Sequence, residues 1–190
     1  FTIQVSVYGV LFYLPTRIAE LLGTGIGLKV GALTSIPWIA TVIMLYLVTR
    51  HADRKGQQTR YAALMLALAA VGMVGSTLSG SLPLVILAFC VAAAGFITVQ
   101  PLFWTLPTRF LSGAAAASGI AVIGALGNLG GFLAPTVKTW AEGYFNNPHA
   151  GMYFLAGMAL LGALMLVRSA RVGREPGKQV KGVGVAGSQG

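Results

Sequence analysis

The sequence predicts an all-α membrane protein, a bundle of six transmembrane helices. Three observations carry that prediction. Of the 190 residues, 56% are hydrophobic and only 9% are charged, whereas a soluble domain carries about a quarter charged residues. Mean hydropathy is +0.79. The apolar residues also fall into six stretches, each near the roughly 20 residues that a helix needs to cross a bilayer. Together these exclude a soluble enzyme domain, a disordered chain and a disulfide-stapled secreted module. The single cysteine, Cys90, lies inside an apolar run and cannot form an internal bridge.

The first stretch covers residues 1–22. It opens at Phe1 with neither a Met nor the basic region of a signal peptide, and is expected to start near or within a helix of a longer protein. It stops at Gly23-Thr-Gly25-Ile-Gly27, a turn-forming run. The second stretch, 30–48, runs into the polar segment 50–60. The third, 61–78, ends at Ser79-Gly80-Ser81, and the fourth, 82–106, ends before the break at 108–113. The fifth, 114–140, is followed by 142–149 with its Asn-Asn-Pro, and the sixth covers 151–167. Residues 1–171 are therefore expected to form one six-helix unit. Residues 172–190 are rich in Gly and lack an apolar period, which predicts a disordered, solvated tail.

Charge placement sets the orientation. Arg50, Arg54, Lys55 and Arg60 lie between helices two and three, and Arg109 lies between four and five. Arg168, Arg171, Arg174, Lys178 and Lys181 follow helix six. Strict alternation puts all of these on one side, leaving Arg17, Lys29 and Lys138 opposite. Ten against three is a strong positive-inside bias, so both visible ends are expected in the cytoplasm, with the spans in the cell's inner (plasma) membrane. An odd helix count would place the basic tail on the wrong side. The net charge of +9 is then mostly topology, and nucleic acid is not an expected partner. Membrane lipid is, since the basic tail can meet anionic headgroups.

Within the spans, small residues recur at intervals of four: Gly23, Gly27 and Gly31, then Gly113, Ala117, Ala121 and Ala125, with Gly127 and Gly131 beyond. Such stripes let helices approach closely in lipid. Pro15, Pro37, Pro101, Pro107 and Pro135 each remove a backbone hydrogen bond, and are expected to bend or break their helices around a cavity, as in transporters. Polar side chains inside the spans are the candidates for function. Asn128 falls near the middle of helix five, where an amide is costly without a partner. Gln100 and Trp104 are four apart on helix four and share a face. Tyr8 lies near mid-depth in helix one. Thr34, Ser35, Thr98 and Thr105 are more simply explained by bonds to their own helices. No ionisable residue lies at the predicted centre of any span; Glu20, Asp53, Glu142 and Glu175, the four acids, are outside them, and His51 and His149 fall in loops. A hydrolase needs a nucleophile and a His at similar depth, so an enzyme is not expected, nor is a metal or cofactor.

Asp53-Arg54-Lys55-Gly56 after helix two resembles the conserved-loop motif of the major facilitator superfamily, in its second-half copy. Two longer stretches narrow the likeness. They are Pro101-Leu-Phe-Trp104-Thr-Leu-Pro107-Thr-Arg-Phe-Leu-Ser-Gly113 and Ala116-Ala-Ser-Gly-Ile-Ala-Val-Ile-Gly-Ala-Leu-Gly-Asn128-Leu-Gly-Gly-Phe132-Leu-Ala-Pro135. With Tyr8-Gly-Val-Leu-Phe-Tyr-Leu-Pro15, these resemble the anion:cation symporter family at helices seven, ten and eleven of twelve, over residues 1–171. The chain departs from the family pattern in three places. Gln57-Gln58 replaces the further Gly and Arg of the loop, Arg109 stands where an acid is usual, and Ile123-Gly-Ala125 replaces an Ile-Asn-Ser. One cavity amide is thereby missing.

The resemblance implies uptake of small organic anions, such as sugar acids, hydroxy dicarboxylates or aromatic carboxylates, generally with protons. It implies two six-helix halves that rock about a central site, of which this chain is the C-terminal one. Asn128 and Trp104 match motifs that line the substrate cavity, and Tyr8 matches the helix-seven aromatic. Asp53 and Arg54 match the cytoplasmic gate loop. The cation for a carboxylate and the proton-binding acid are then expected from the N-terminal half. Carriers of neutral sugars or drugs, and a non-transporting receptor on the same fold, are the alternatives.

Overall fold

The computed structural model describes residues 1–78, 80–105 and 114–172. The six expected spans are six helices: α1 (Thr2–Leu22), α2 (Leu28–Lys55), α3 (Gln58–Leu78), α4 (Leu82–Trp104), α5 (Ala114–Phe145) and α6 (Ala150–Val172). All six are long and apolar enough to cross a membrane, and no strand occurs among the described residues. Pro107, Arg109, Gly113 and the tail from residue 173 lie outside the described residues.

The α3 helix has the largest buried share of the six. It packs on α4 and α6, while α2 leans on α4, and α1 joins α4, α5 and α6. The core holds Leu14 and Ile18 from α1, Leu66 and Met73 from α3, Phe89, Phe96 and Leu102 from α4, and Met152 and Leu155 from α6. Two glycines permit the tightest contact. A Cβ on Gly72 would lie 2.5 Å from the Ala92 backbone nitrogen, and one on Gly95 would lie 2.5 Å from the Met65 carbonyl oxygen. The α3 and α4 backbones meet at these two points, the close approach that small residues allow where lipid supplies no hydrophobic drive. By contrast α2 and α5 are the least buried helices. They leave Ile39, Val42, Ile43 and Leu47, and Val122, Leu126, Leu129 and Phe132, exposed.

Several local expectations need correction. Pro15, Pro37, Pro101 and Pro135 all lie inside continuous helices; none of them breaks its helix. Thr41 and Thr139 donate to the carbonyls of Pro37 and Pro135 at 2.7 and 2.9 Å, placing a polar group beside the disturbed turns. The α2 helix runs seven residues past the expected stop at residue 48, so His51 is helical, and the connection to α3 is only Gly56 and Gln57. Gly56 closes α2 in the left-handed region at φ 60°, where a side chain would be strained. The Gly23–Gly31 stripe packs against nothing in this chain: Gly23 is the left-handed cap of α1 (φ 61°), and Gly31 faces open space. Ala117, Ala121 and Ala125 are likewise exposed, whereas Gly127 and Gly131 do meet α1.

Candidate functional site

Four helix segments enclose a cavity of about 440 Å³. They are the first turn of α1, the end of α4, the middle of α5 and the last turns of α6. The size falls within the range usual for small-molecule sites. Gln100 and Trp104 line it from α4, and Asn128 lines it from α5. Three of the expected binding residues are thus brought together, although Gln100 and Asn128 are more than 25 residues apart in sequence. Trp104 stands edge-on to Phe103, with ring centroids 5.7 Å apart, and its ring edge lies against the site of a Cβ on Gly124 at 3.9 Å. Together they form an apolar wall beneath the amides.

Gln4 is the polar residue that the sequence did not single out. Its Nε2 donates to Oδ1 of Asn128 at 3.3 Å, and its Cγ lies 3.4 Å from where a Cβ of Gly127 would stand. Glycine at 127 therefore leaves room for the glutamine to lie along α5. The Gln4 Oε1 is buried and has no hydrogen-bond partner. Spacing offered a signal: Gln4 and Tyr8 are four apart, as are Gln100 and Trp104, and pairs at that spacing lie on one side of a helix. Thr2 and Ser169 add to the polar lining, and no ionisable side chain is among the described residues around this cavity.

Tyr8 is not brought into it. Its ring lies 2.5 Å from a Cβ built on Gly131, so it packs flat on the backbone of α5. It lines a second, smaller cavity of about 170 Å³ with Tyr13, Thr16, Pro135, Lys138 and Thr139. Asp53 and Arg54 form the last turn of α2, not a loop. Both are exposed. The Asp53 Oδ1 accepts from Gln58 Nε2 at 3.2 Å, which ties α2 to the first residue of α3. His51 meets the edge of Tyr61 across the same connection, at 5.8 Å between centroids.

The Major Facilitator Superfamily family model matches residues 1–135. The chain belongs to the major facilitator superfamily. Its relatives agree with that membership. The inner membrane transport protein RhmT of Escherichia coli is 46% identical over 167 residues, which cover 87% of this chain and 38% of RhmT. A protein of Agrobacterium vitis named for tartrate transport is 36% identical over 76% of this chain and 32% of its own length. The quinolone resistance transporter of Acinetobacter baumannii is 37% identical over 86% of this chain and 37% of its own length. The chain thus spans little more than a third of the relatives it matches. Six helices match half of a membrane transporter of this superfamily, and the resemblance to the anion:cation symporter branch is consistent with it.

Proposed function

We propose that this chain is the C-terminal six-helix half of an inner-membrane secondary carrier that takes up small organic anions with protons by alternating access. One observation carries the proposal: amides from three helices, Gln4, Gln100 and Asn128, converge with Trp104 on one cavity with no ionisable side chain among its described lining residues. Amide donors suit carboxylate and hydroxyl oxygens, and the indole supplies an apolar wall for a carbon skeleton. The relative named for tartrate transport supports a hydroxy-acid substrate. Asn128 donates to a substrate carboxylate or hydroxyl, Gln100 orients it, and Tyr8 acts on it from the neighbouring cavity. The balancing cation and the titrating acid come from an N-terminal half, which docks on the exposed faces of α2 and α5. Both visible ends lie in the cytoplasm, as do Asp53 and Arg54, which form the gate turn.

Uptake of radiolabelled tartrate and gluconate by the full-length protein in proteoliposomes, with and without an imposed proton gradient, tests this directly. Asn128→Ala is expected to cut kcat/KM about tenfold or more, the worth of a hydrogen bond to a charged group, without loss of folded protein. Unchanged uptake removes Asn128 from the site, and indifference to the gradient removes proton coupling. The quinolone resistance transporter favours a drug carrier as the second function. Transport of a quinolone in preference to both acids would establish that instead.

A further inference from the structure

The second cavity holds an ionisable side chain, which the described lining of the first does not. Lys138 lines it from α5, ten residues beyond Asn128, which is about 15 Å along a helix. Its side chain is only 20% exposed. The ammonium lies 4.9 Å from the centre of the Tyr13 ring, an aromatic face that holds a cation by its quadrupole. It also pairs with Glu142, one turn on. Nζ donates to Oε2 at 3.0 Å, while Oε1 lies 2.8 Å away. Oε1 is buried and outside hydrogen-bond geometry. Tyr8, Thr16 and Thr139 line the same cavity. The site is thus a cation set among hydroxyl-bearing residues, facing an open volume, and neutralised on one side by a carboxylate.

The neutralising carboxylate has somewhere else to go. Glu142 Oε1 lies 2.9 Å from a Cβ built on Gly151, and the Lys138 Cγ lies 2.5 Å from the same point. Gly151 is in the first turn of α6, where the positive end of the helix dipole favours an anion. An arriving anion can therefore share or replace Glu142 at Lys138 while Glu142 leans on the start of α6.

We propose that Lys138 forms a second anion subsite, in which Glu142 is the internal competitor for an incoming carboxylate and Tyr13 holds the ammonium in place. The site rests on the organic-anion function above for the identity of its ligand, though not for its charge preference. It gives the carrier a cation of its own at the far end of the α1–α5 seam, where substrate meets this half before or after the amide cavity. A cavity of about 170 Å³ suits a carboxylate and the few atoms next to it.

A purely structural ion pair and a competed anion site make opposite predictions. Breaking a structural pair from either partner has the same sign. For a competed site, Lys138→Gln raises the half-saturating concentration of tartrate or gluconate about tenfold, Lys138→Arg retains uptake, and Glu142→Gln lowers the half-saturating concentration. A second measurement does not depend on transport. In full-length Cys90→Ser protein carrying Thr139→Cys, a sulfonate-bearing methanethiosulfonate reacts faster than a trimethylammonium one. Glu142→Gln widens that preference and Lys138→Gln abolishes it. If the reagents show the preference but neither acid is carried, the substrate assignment fails and the anion site stands. If an acid is carried yet Lys138→Gln and Glu142→Gln shift its half-saturation the same way, or the reagents show no charge preference, the site is overturned.

Discussion

At the level of single residues, Tyr8 separates motif from role most clearly. The motif places an aromatic there, and the resemblance makes it a substrate ligand. The ring instead lies on the bare backbone at Gly131 and opens on the smaller cavity. The contact predicts strong coupling. Gly131→Ala puts a methyl into the Tyr8 ring and is expected to cost about 1–3 kcal/mol of stability. In a Tyr8→Leu background most of that cost disappears, as thermal unfolding of the four proteins of the double-mutant cycle will show. Additive losses would mean that Tyr8 does not bear on Gly131. Gln4 gives the converse lesson. Its partner is 124 residues away in sequence, and no pattern along α1 reveals which amide it meets. Lys138 and Glu142 were legible as an i,i+4 pair only to a reader who carried helix five beyond residue 140. Gly143 and the Asn-Asn-Pro that follows are turn chemistry, and they draw the expected stop inward by five residues.

Whole helices were legible because hydropathy does not depend on which neighbour a residue meets. All six spans were recognisable, and Pro15, Pro37, Pro101 and Pro135 did not interrupt them. What the pattern lacks is contact. Glycines look alike in sequence, yet Gly72 and Gly95 are wedged against α4 and α3 respectively, while Gly31 touches nothing. Gly72→Val and Gly95→Val are each expected to force α3 from α4 and cost about 1–3 kcal/mol or more. Gly31→Val is expected to leave the melting temperature of the detergent-solubilised full-length protein nearly unchanged. Equal effects at the three positions would contradict the packing. The α2–α3 connection behaves differently again. Asp53→Ala removes an exposed acceptor from Gln58, so stability should change by less than about 1 kcal/mol. A fall in transport turnover without a fall in stability is the signature expected of a gate, and unchanged turnover would remove Asp53 from that role.

For the whole molecule, the uneven burial of the helices matters most. The α3 helix is the most buried, while α2 and α5 present long apolar faces that no other described helix of this chain covers. The end of α2 and the start of α3, which carry Arg50, Arg54, Lys55 and Arg60, lie at one end of the bundle, and Gly23–Gly27 at the other. Single cysteines at Arg60 and Thr24, in a Cys90→Ser background, should be labelled by an impermeant maleimide from opposite sides of the membrane, Arg60→Cys from the cytoplasm. Labelling of both from one side would overturn the topology.

Where α1 crosses α5, one partner has almost no relief. Gly127, Gly130 and Gly131 offer Gln4, Val5 and Tyr8 a strip of bare backbone. Helices usually settle at a few crossing angles because rows of side chains drop into the furrows of their neighbours. A strip without rows has no furrows to leave. Along this seam, which joins the two cavities, few ridges lock α1 to α5, and its register is left to three contacts: the Gln4–Asn128 hydrogen bond, the Tyr8 ring on Gly131 and the Tyr13 ring against Lys138.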